Sequence, residues 1–242
     1  MWFTIGILVL SALAGGLLAF CFRESKKLSF TRILTFAGAY LFAITLVHVI
    51  PGLFAETTAP LTTGVFVLAG FYLQQLLEYL TQGVEHGHLH QPQDDHHHNL
   101  GMALSLLVGL TVHSFLEGSL LGHPAEAAAA GSLPLLLGIV LHKLPAAFAM
   151  MTVLLCHYKK PQWPLVFLVV FALASPLGVY FSATVALSPK AAEILFALVS
   201  GSFLHISTTI VFEGSPHHKF QFDRIGISLL GALAAILVQV LI

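Results

Sequence analysis

Charged side chains are scarce in this sequence, and their scarcity decides its broad class. Only 10 lysines and arginines and 11 aspartates and glutamates occur among 242 residues, whereas 57% of the residues are hydrophobic. Together with a mean hydropathy of +0.90, this composition excludes a soluble globular protein, because a water-exposed surface needs far more charge. We therefore expect an integral membrane protein whose surroundings are the lipid bilayer.

Cysteine and a basic surface are also lacking. Only Cys21 and Cys156 occur, without the spacing of a zinc knuckle or a CxxC motif, so neither a thiolate metal site nor a disulfide framework is expected. The net charge is −1, and the few charges fall in short connectors between apolar runs. Because these charges form no basic face, nucleic acid is not an expected partner.

Eight apolar runs make up most of the chain, and each has about the 20 residues that a helix needs to cross a bilayer. They are residues 3–22, 33–54, 61–82, 100–122, 133–156, 164–187, 191–213 and 222–242. The only extended polar stretch is 83–99. The sequence thus predicts an all-α protein with eight transmembrane helices, folded as a single transmembrane domain over residues 1–242.

Lysine and arginine are distributed unevenly between the connectors, and cytoplasmic loops are enriched in both. The connectors after the first, fifth and seventh runs carry Arg23, Lys26, Lys27 and Arg32, then Lys159 and Lys160, then Lys219 and Arg224, whereas the opposite connectors carry only Lys190. This bias predicts both termini on the extracytoplasmic side and the 83–99 stretch in the cytoplasm. The membrane is expected to be a plasma or inner membrane.

Ionisable side chains inside two of the apolar runs are the most informative feature. The fourth run contains HSFLEG at 113–118, and the fifth contains HKLPAA at 142–147. Placing such groups in hydrocarbon costs a few kcal/mol each, so they face the interior of the bundle or a wet pathway. Imidazole and carboxylate on one helix face are typical ligands of a transition-metal ion.

Three of these side chains are expected to meet. His113 lies about nine residues before the end of its run and His142 about nine residues after the start of the next, so both lie roughly 13 Å below the same membrane surface. Glu117 follows His113 on the same helix face. We predict a three-ligand Zn²⁺ site that leaves a position for water, with Cd²⁺, Fe²⁺ and Mn²⁺ as other candidate ions. For His113 alone, a structural hydrogen bond to a neighbouring helix is an equally good interpretation.

Five further polar residues are assigned auxiliary places along the pathway: Ser114, Lys143, His48, His205 and Glu213. Lys143 follows His142 directly and is too central to reach either surface easily, so we expect it near Glu117. His205 and Glu213 belong to a polar stripe that ends at the cytoplasmic side, where lining an exit and packing between helices are equally open. For His48, a structural hydrogen bond is the favoured interpretation.

The polar stretch between the third and fourth runs is rich in histidine. It contains His86, His88, His90, His96, His97 and His98, together with Asp94 and Asp95. Clustered imidazoles and carboxylates in a polar segment bind divalent transition metals loosely. A cloned tag is the obvious alternative, but this segment is internal and irregular, so we predict a metal-gathering or metal-sensing loop.

Five motifs follow one another along the chain: HVIP at 48–51, the histidine-rich loop, HSFLEG at 113–118, HKLPAA at 142–147 and SPLG at 175–178. Their order and spacing resemble the ZIP (Zrt/Irt-like) family of divalent metal transporters over essentially the whole chain. The resemblance implies a ZIP-like bundle of eight helices with both ends outside. It also implies a transport site between the fourth and fifth helices, and movement of Zn²⁺ or related ions into the cytoplasm. His113, Glu117 and His142 match metal ligands of the family.

The sequence departs from those ZIP proteins that hold two adjacent metals. They carry asparagine, two carboxylates and glutamate where this chain has Ser114, Lys143, Ala146 and Ser175. These changes remove much of the ligand set for a second ion, and the Lys143 ammonium takes its place electrostatically. We predict one metal ion in the core, and a position in the branch of the family with His-Ser, Glu-Gly and His-Lys signatures.

Two alternatives of another class remain open at this point. An intramembrane metal-dependent hydrolase also uses histidine and carboxylate on apolar helices, although the HExxH motif is absent. A membrane metal sensor would bind the ion without moving it. We favour transport, and we do not expect an enzyme. Small-residue faces on the first, seventh and eighth runs are compatible with internal packing or a dimer, and we favour a homodimer.

Overall fold

The computed structural model describes residues 1–21, 27–81, 100–122, 132–158, 160–185, 187–213 and 222–241. Every regular element among them is helical, and eight helices are long and apolar enough to cross a membrane. The predicted all-α class and the eight predicted spans are thus confirmed. The side of the membrane that the termini face stays a prediction, and the histidine-rich loop lies outside the described residues.

The helix bounds follow the apolar runs closely. α1 is Trp2–Cys21; α2 begins as Lys27–Ile44 and continues through Thr45–Val49 to Ile50–Glu56; α3 is Pro60–Thr81, α4 Leu100–Gly122, α5 Ser132–His157 and α6 Gln162–Thr184; α7 is Pro189–Thr208 and continues through Thr209–Glu213; α8 is Phe222–Leu241. Local residues set these ends. α7, for example, starts where the Ser188 hydroxyl accepts a hydrogen bond from the Ala191 amide and Pro189 occupies the first turn.

Two helices contain a π-helical turn, which the apolar pattern did not predict. The turn spans Thr45–Val49 in α2 and Thr209–Glu213 in α7. Each begins with a threonine whose hydroxyl donates to a carbonyl four residues earlier, that of Leu41 at 2.7 Å in α2 and that of His205 at 2.9 Å in α7. Such bonds compete with the regular backbone ladder and accompany local widening of a helix. His48 lies in the first of these turns.

The eight helices pack most extensively as four pairs: α1 with α5, α2 with α8, α3 with α7 and α4 with α6. Glycine brings paired backbones close. A Cβ on Gly118 of α4 would collide with the Ser175 carbonyl of α6, and a Cβ on Gly201 of α7 would collide with the Val67 carbonyl of α3. Lipid gives no hydrophobic drive for helix association, so this close van der Waals contact holds the pairs together.

α5 is the most enclosed of the eight helices. In its apolar stretch 67% of the residues are buried, against 22% in α3 and 11% in α8. Pro145 lies inside α5 without ending the helix. The proline lacks one backbone hydrogen bond, and packing against the neighbouring helices keeps α5 helical there. The two central ionisable residues of α5, His142 and Lys143, are each 1% exposed and therefore lie within protein and not in lipid.

Candidate metal centre

Three predicted ligands, His113 and Glu117 of α4 and His142 of α5, converge inside the bundle. Their candidate donor atoms all lie within 4.8 Å of one another, and they form the one such group in the described part of the chain. His113 Nε2 lies 3.0 Å from Glu117 Oε1. The two imidazole ring centroids are 5.8 Å apart, with the rings nearly perpendicular. At most 3% of any of these residues is exposed.

Helix geometry explains this convergence. The four-residue spacing places Glu117 one turn from His113 on the same face of α4. His113 lies nine residues before the end of α4, and His142 lies ten residues after the start of α5, so the two imidazoles reach a similar depth. Donor atoms around one zinc ion are about 3.3 Å apart when each bond is about 2.0 Å. The present spread therefore leaves room for an ion and for a small inward rotation of the side chains.

Lys143 lies on the other side of Glu117, where the sequence predicted it. Its Nζ is 3.6 Å from Glu117 Oε2 and donates hydrogen bonds to the hydroxyls of Ser114 and Ser175, the latter at 2.7 Å. The same atom lies 4.5 Å from the centre of the Phe171 ring, within range of a cation–π interaction. This buried ammonium is thus surrounded by a carboxylate, two hydroxyls and an aromatic face.

The two carboxylate oxygens of Glu117 have different neighbours as a result. Oε1 faces His113, and Oε2 faces Lys143. A buried carboxylate without partners is costly, and this arrangement gives each oxygen one. It also aims Oε1 at the space between the two histidines, which is where an ion would be coordinated.

His205 has a neighbour that the sequence did not predict. Its Nδ1 lies 3.5 Å from Oε2 of Glu78 on α3, and its ring meets the edge of Phe71 at 4.8 Å between centroids. Beside this pair, Ser202 donates to the buried Gln74 side chain at 2.8 Å. Nothing in the described contacts joins His205 to Glu213, whose side chain lies outside the description.

Glu78 was missed although the sequence contained the information to find it. It is the one charged residue in the apolar run 61–82, and an intramembrane carboxylate is expected to face a partner or a pathway. The polar stripe of α7 contained His205 without indicating which helix it faced. The two observations together would have predicted an α3–α7 contact.

His48 lines a cavity of about 790 Å³ between the ends of α2, α3 and α7. The cavity is also lined by Glu56, Lys190 and Glu193, and by Leu120 of α4. Leu120 is one helical turn from Glu117. The cavity therefore opens from the end of the bundle that carries residues 57–59 and ends one turn from the candidate metal ligands.

Glu193 ties the connector between α2 and α3 to α7 at this end of the bundle. Its Oε1 accepts hydrogen bonds from the hydroxyls of Thr57 and Thr63, both at 2.5 Å. The Thr57 hydroxyl also accepts from the Ala59 amide at 3.0 Å. Glu193 of α7 is thus joined through Thr57 to the α2–α3 connector and through Thr63 to α3.

The six histidines of the predicted metal-gathering loop lie outside the described residues; they are His86, His88, His90, His96, His97 and His98. Their loop follows α3 directly in the chain. Its predicted role stays a prediction.

The family model described as ZIP Zinc transporter matches residues 81–239, which is more than half of the chain and includes α4 and α5. The chain belongs to the ZIP zinc transporter family. The resemblance predicted from the motifs is thus confirmed at the level of the family, whereas the branch signatures stay a prediction.

Individual ZIP proteins match at low identity. Zinc transporter ZIP1 of Danio rerio is 29% identical over 143 residues, covering 57% of this chain and 45% of that protein. Zinc transporter ZIP9-B of Xenopus laevis is 28% identical over 172 residues, covering 66% and 55%. Zinc transporter ZIP9 of Micropogonias undulatus is 28% identical over 158 residues, covering 61% and 50%. The chain spans about half the length of the curated relatives it matches.

Membership of the ZIP family decides between two of the classes left open by the sequence. ZIP proteins are membrane transporters and not enzymes. The intramembrane hydrolase hypothesis is therefore set aside, and the chain is a multi-pass integral membrane protein.

Proposed function

We propose that this ZIP protein carries divalent transition-metal ions, with zinc as its substrate, through a single-metal site formed by His113, Glu117 and His142. The observation that carries the proposal is the convergence of two imidazoles and one carboxylate, all buried, from two membrane-spanning helices. Three protein ligands leave a coordination position for water, which suits an ion that must be released again.

The site is proposed to hold one ion because the Lys143 ammonium lies in the position beside it where a second ion would bind. The ammonium lies 3.6 Å from Glu117 Oε2, and hydroxyls of Ser114 and Ser175 contact it where a second ion would need anionic ligands. A dication at that position would face the Lys143 charge at close range in a medium of low polarity, where repulsion is strong.

The route is proposed to run toward the cytoplasm. A hydrated ion enters the cavity lined by His48, Glu56 and Glu193, passes Leu120 and exchanges water for the three ligands. It then leaves past His205 and Glu78, since Glu78 lies three residues before the end of α3 and the histidine-rich loop follows there. Glu213 is assigned to the same exit from its place in the sequence.

Zinc is favoured over the other ions by the donor set. Two imidazole nitrogens and one carboxylate oxygen suit Zn²⁺, while Cd²⁺, Fe²⁺ and Mn²⁺ can use the same atoms with different affinity. The names of the matched ZIP proteins support zinc. Competition by each ion in the assay below ranks them.

Zinc uptake into proteoliposomes tests the function. We expect time-dependent uptake with the unaltered protein, and loss of most uptake and of zinc binding with His113→Ala, His142→Ala or Glu117→Gln. His157→Ala is the matched control, because His157 is also on α5 but lies in its last turn, about four turns beyond His142, where its ring hydrogen-bonds the Val153 carbonyl. Unchanged uptake in the three variants would refute the site. Zinc binding without uptake under any gradient would favour a metal sensor.

A plasma or inner membrane location and a homodimer are proposed from the sequence. Both termini are proposed to lie on the extracytoplasmic side, because the connectors rich in lysine and arginine are expected in the cytoplasm. Exposed apolar residues on α3 and α8, such as Leu61, Val65, Leu229 and Leu233, face lipid in a monomer and supply the surface that a second copy would cover.

A further inference from the structure

Ser175 makes contacts that its place in the sequence did not predict. It lies on α6, is fully buried, and its hydroxyl donates to the backbone carbonyl of Ser114 on α4 at 2.7 Å. The same oxygen accepts a hydrogen bond from Lys143 Nζ at 2.7 Å. Three helices, α4, α5 and α6, therefore meet around one lysine nitrogen.

The direction of these hydrogen bonds is fixed by chemistry. A lysine ammonium can only donate, so the Ser175 oxygen accepts from Lys143, and its own single proton is directed at Ser114, whose carbonyl lies at 2.7 Å and whose hydroxyl lies at 2.9 Å. α4 and α6 are in close contact beside Ser175. Gly118 permits this contact, since a Cβ on it would collide with the Ser175 carbonyl. Ser175 is thus an acceptor with a defined position for the ammonium.

The distance from Lys143 to Glu117 indicates what this acceptor does. A charge-assisted hydrogen bond between an ammonium and a carboxylate is about 2.8 Å long, but Nζ lies 3.6 Å from Oε2. The shorter contacts of Nζ are to the two serine hydroxyls. The serines therefore hold the ammonium back from full contact with the carboxylate, and they hold it on the side of Oε2.

We infer that Ser175 is a positioning residue that keeps Lys143 on Oε2 of Glu117 and so keeps Oε1 open to the metal ion between His113 and His142. Without the Ser175 hydroxyl, the flexible lysine side chain moves onto the carboxylate and competes with the ion. This inference rests on the proposed function, since it assumes that Glu117 binds the ion. It adds a residue on α6 that determines how well a site on α4 and α5 can bind.

Zinc affinity of the purified full-length protein, measured by calorimetry in detergent, tests the inference. We expect Ser175→Ala to weaken zinc binding by about tenfold, as for loss of one hydrogen bond to a charged group. Ser175→Thr keeps the hydroxyl and should restore much of the affinity. Ser182→Ala is the matched control, because Ser182 is buried on α6 and its hydroxyl has no hydrogen-bond partner among the described residues.

A double-mutant cycle separates positioning from a purely structural role. In a Lys143→Met background no ammonium competes for Glu117, so Ser175→Ala should leave zinc affinity unchanged. An equal loss of affinity in both backgrounds would make Ser175 structural and overturn the inference. Should Ser175→Ala destabilise the protein, a comparison of Ser175→Val with Ser175→Thr, two side chains of similar size that differ by the hydroxyl, completes the cycle.

The outcomes for the inference and for the proposed function differ. If the unaltered protein binds no zinc, or if His113→Ala and His142→Ala bind it as well as the unaltered protein does, the proposed function fails. If the unaltered protein binds zinc through those residues and Ser175→Ala binds it equally well, only the role of Ser175 is refuted.

Discussion

Glu78 and His205 join α3 to α7 near the end of α3 that leads into the histidine-rich loop. Their 3.5 Å contact places an imidazole and a carboxylate together away from the main site. Only two ligands are present there, so an ion would be held more weakly than by His113, Glu117 and His142. A weak site on the proposed exit route would speed release of the ion without changing its first binding step.

We therefore predict that Glu78→Gln lowers the maximal rate of zinc uptake by about tenfold, equivalent to about 1.4 kcal/mol in the rate-limiting barrier, and leaves the zinc affinity of the main site unchanged. Uptake rates in proteoliposomes and calorimetric binding measure the two quantities. Asp223→Asn is the control, since Asp223 is an exposed carboxylate that pairs with Arg32 at 3.4 Å. A parallel loss of affinity and rate would place Glu78 in the main site instead.

Single residues could be predicted from the sequence where their burial is costly. His113, Glu117, His142 and Lys143 were found because each interrupts an apolar run. Ser175 was noted only as part of the SPLG motif and as the replacement of a glutamate, because a serine in an apolar helix carries no such cost and its partner depends on how α4 meets α6. The position of Lys143 between two hydroxyls is a tertiary property that no local pattern contains.

At the scale of elements, the contact of α4 with α6 determines where the Lys143 ammonium can lie. Gly118 brings the α4 backbone against the Ser175 carbonyl, and Gly178 brings α6 against the Phe115 carbonyl. The contact is therefore reciprocal, with one glycine from each helix. Any side chain added at this level must push α6 away from Glu117.

Gly118→Ala is expected to destabilise the protein by about 1–3 kcal/mol, the usual cost of overpacking a well-packed interface. We expect a lower thermal midpoint in detergent and weaker zinc binding. Gly226→Ala on α8 serves as the control, because a Cβ there meets nothing within 4 Å, and alanine favours the helix. Equal midpoints for the two variants would contradict the close contact of α4 with α6.

The helices themselves were predicted well, because a membrane span is recognised from the summed hydropathy of about 20 consecutive residues, which the sequence alone provides. The two π-helical turns were not, because one additional residue per turn barely alters an apolar pattern. Thr45 and Thr209 begin these turns with similar hydroxyl bonds, but serines and threonines elsewhere make the same bond within regular helices, Thr152 and Ser207 among them. The residue type therefore does not identify the turn.

At the scale of the molecule, the candidate site lies where two of the four helix pairs meet, since its ligands come from α4 and α5 and their further contacts from α6. The small-residue faces of the first, seventh and eighth runs were compatible with helix packing but did not indicate which helices would be partners, since small residues fit any neighbour. α4 and α5 were expected to be close neighbours, yet α4 packs mainly on α6 and α5 mainly on α1. His113 and His142 meet across a looser contact, which leaves space between them.

Orientation in the membrane is testable at this scale. We expect a cysteine introduced by Thr58→Cys, between α2 and α3, to react with a membrane-impermeant maleimide on intact cells, in a background with Cys21→Ser and Cys156→Ser. Lys160→Cys, between α5 and α6, should react only after permeabilisation. Both positions are exposed, so accessibility depends on the side of the membrane. The opposite labelling pattern would reverse the topology that the charge bias predicts.

The Lys143–Glu117 pair has an electrical consequence for a carrier. With neutral histidines, the ammonium and the carboxylate cancel, so the unloaded centre has no net charge, whereas a bound dication gives it two positive charges. Moving two charges through a membrane voltage of 100 mV is worth about 4.6 kcal/mol. Voltage that is negative inside would thus draw the loaded centre inward and leave the return of the empty one unopposed.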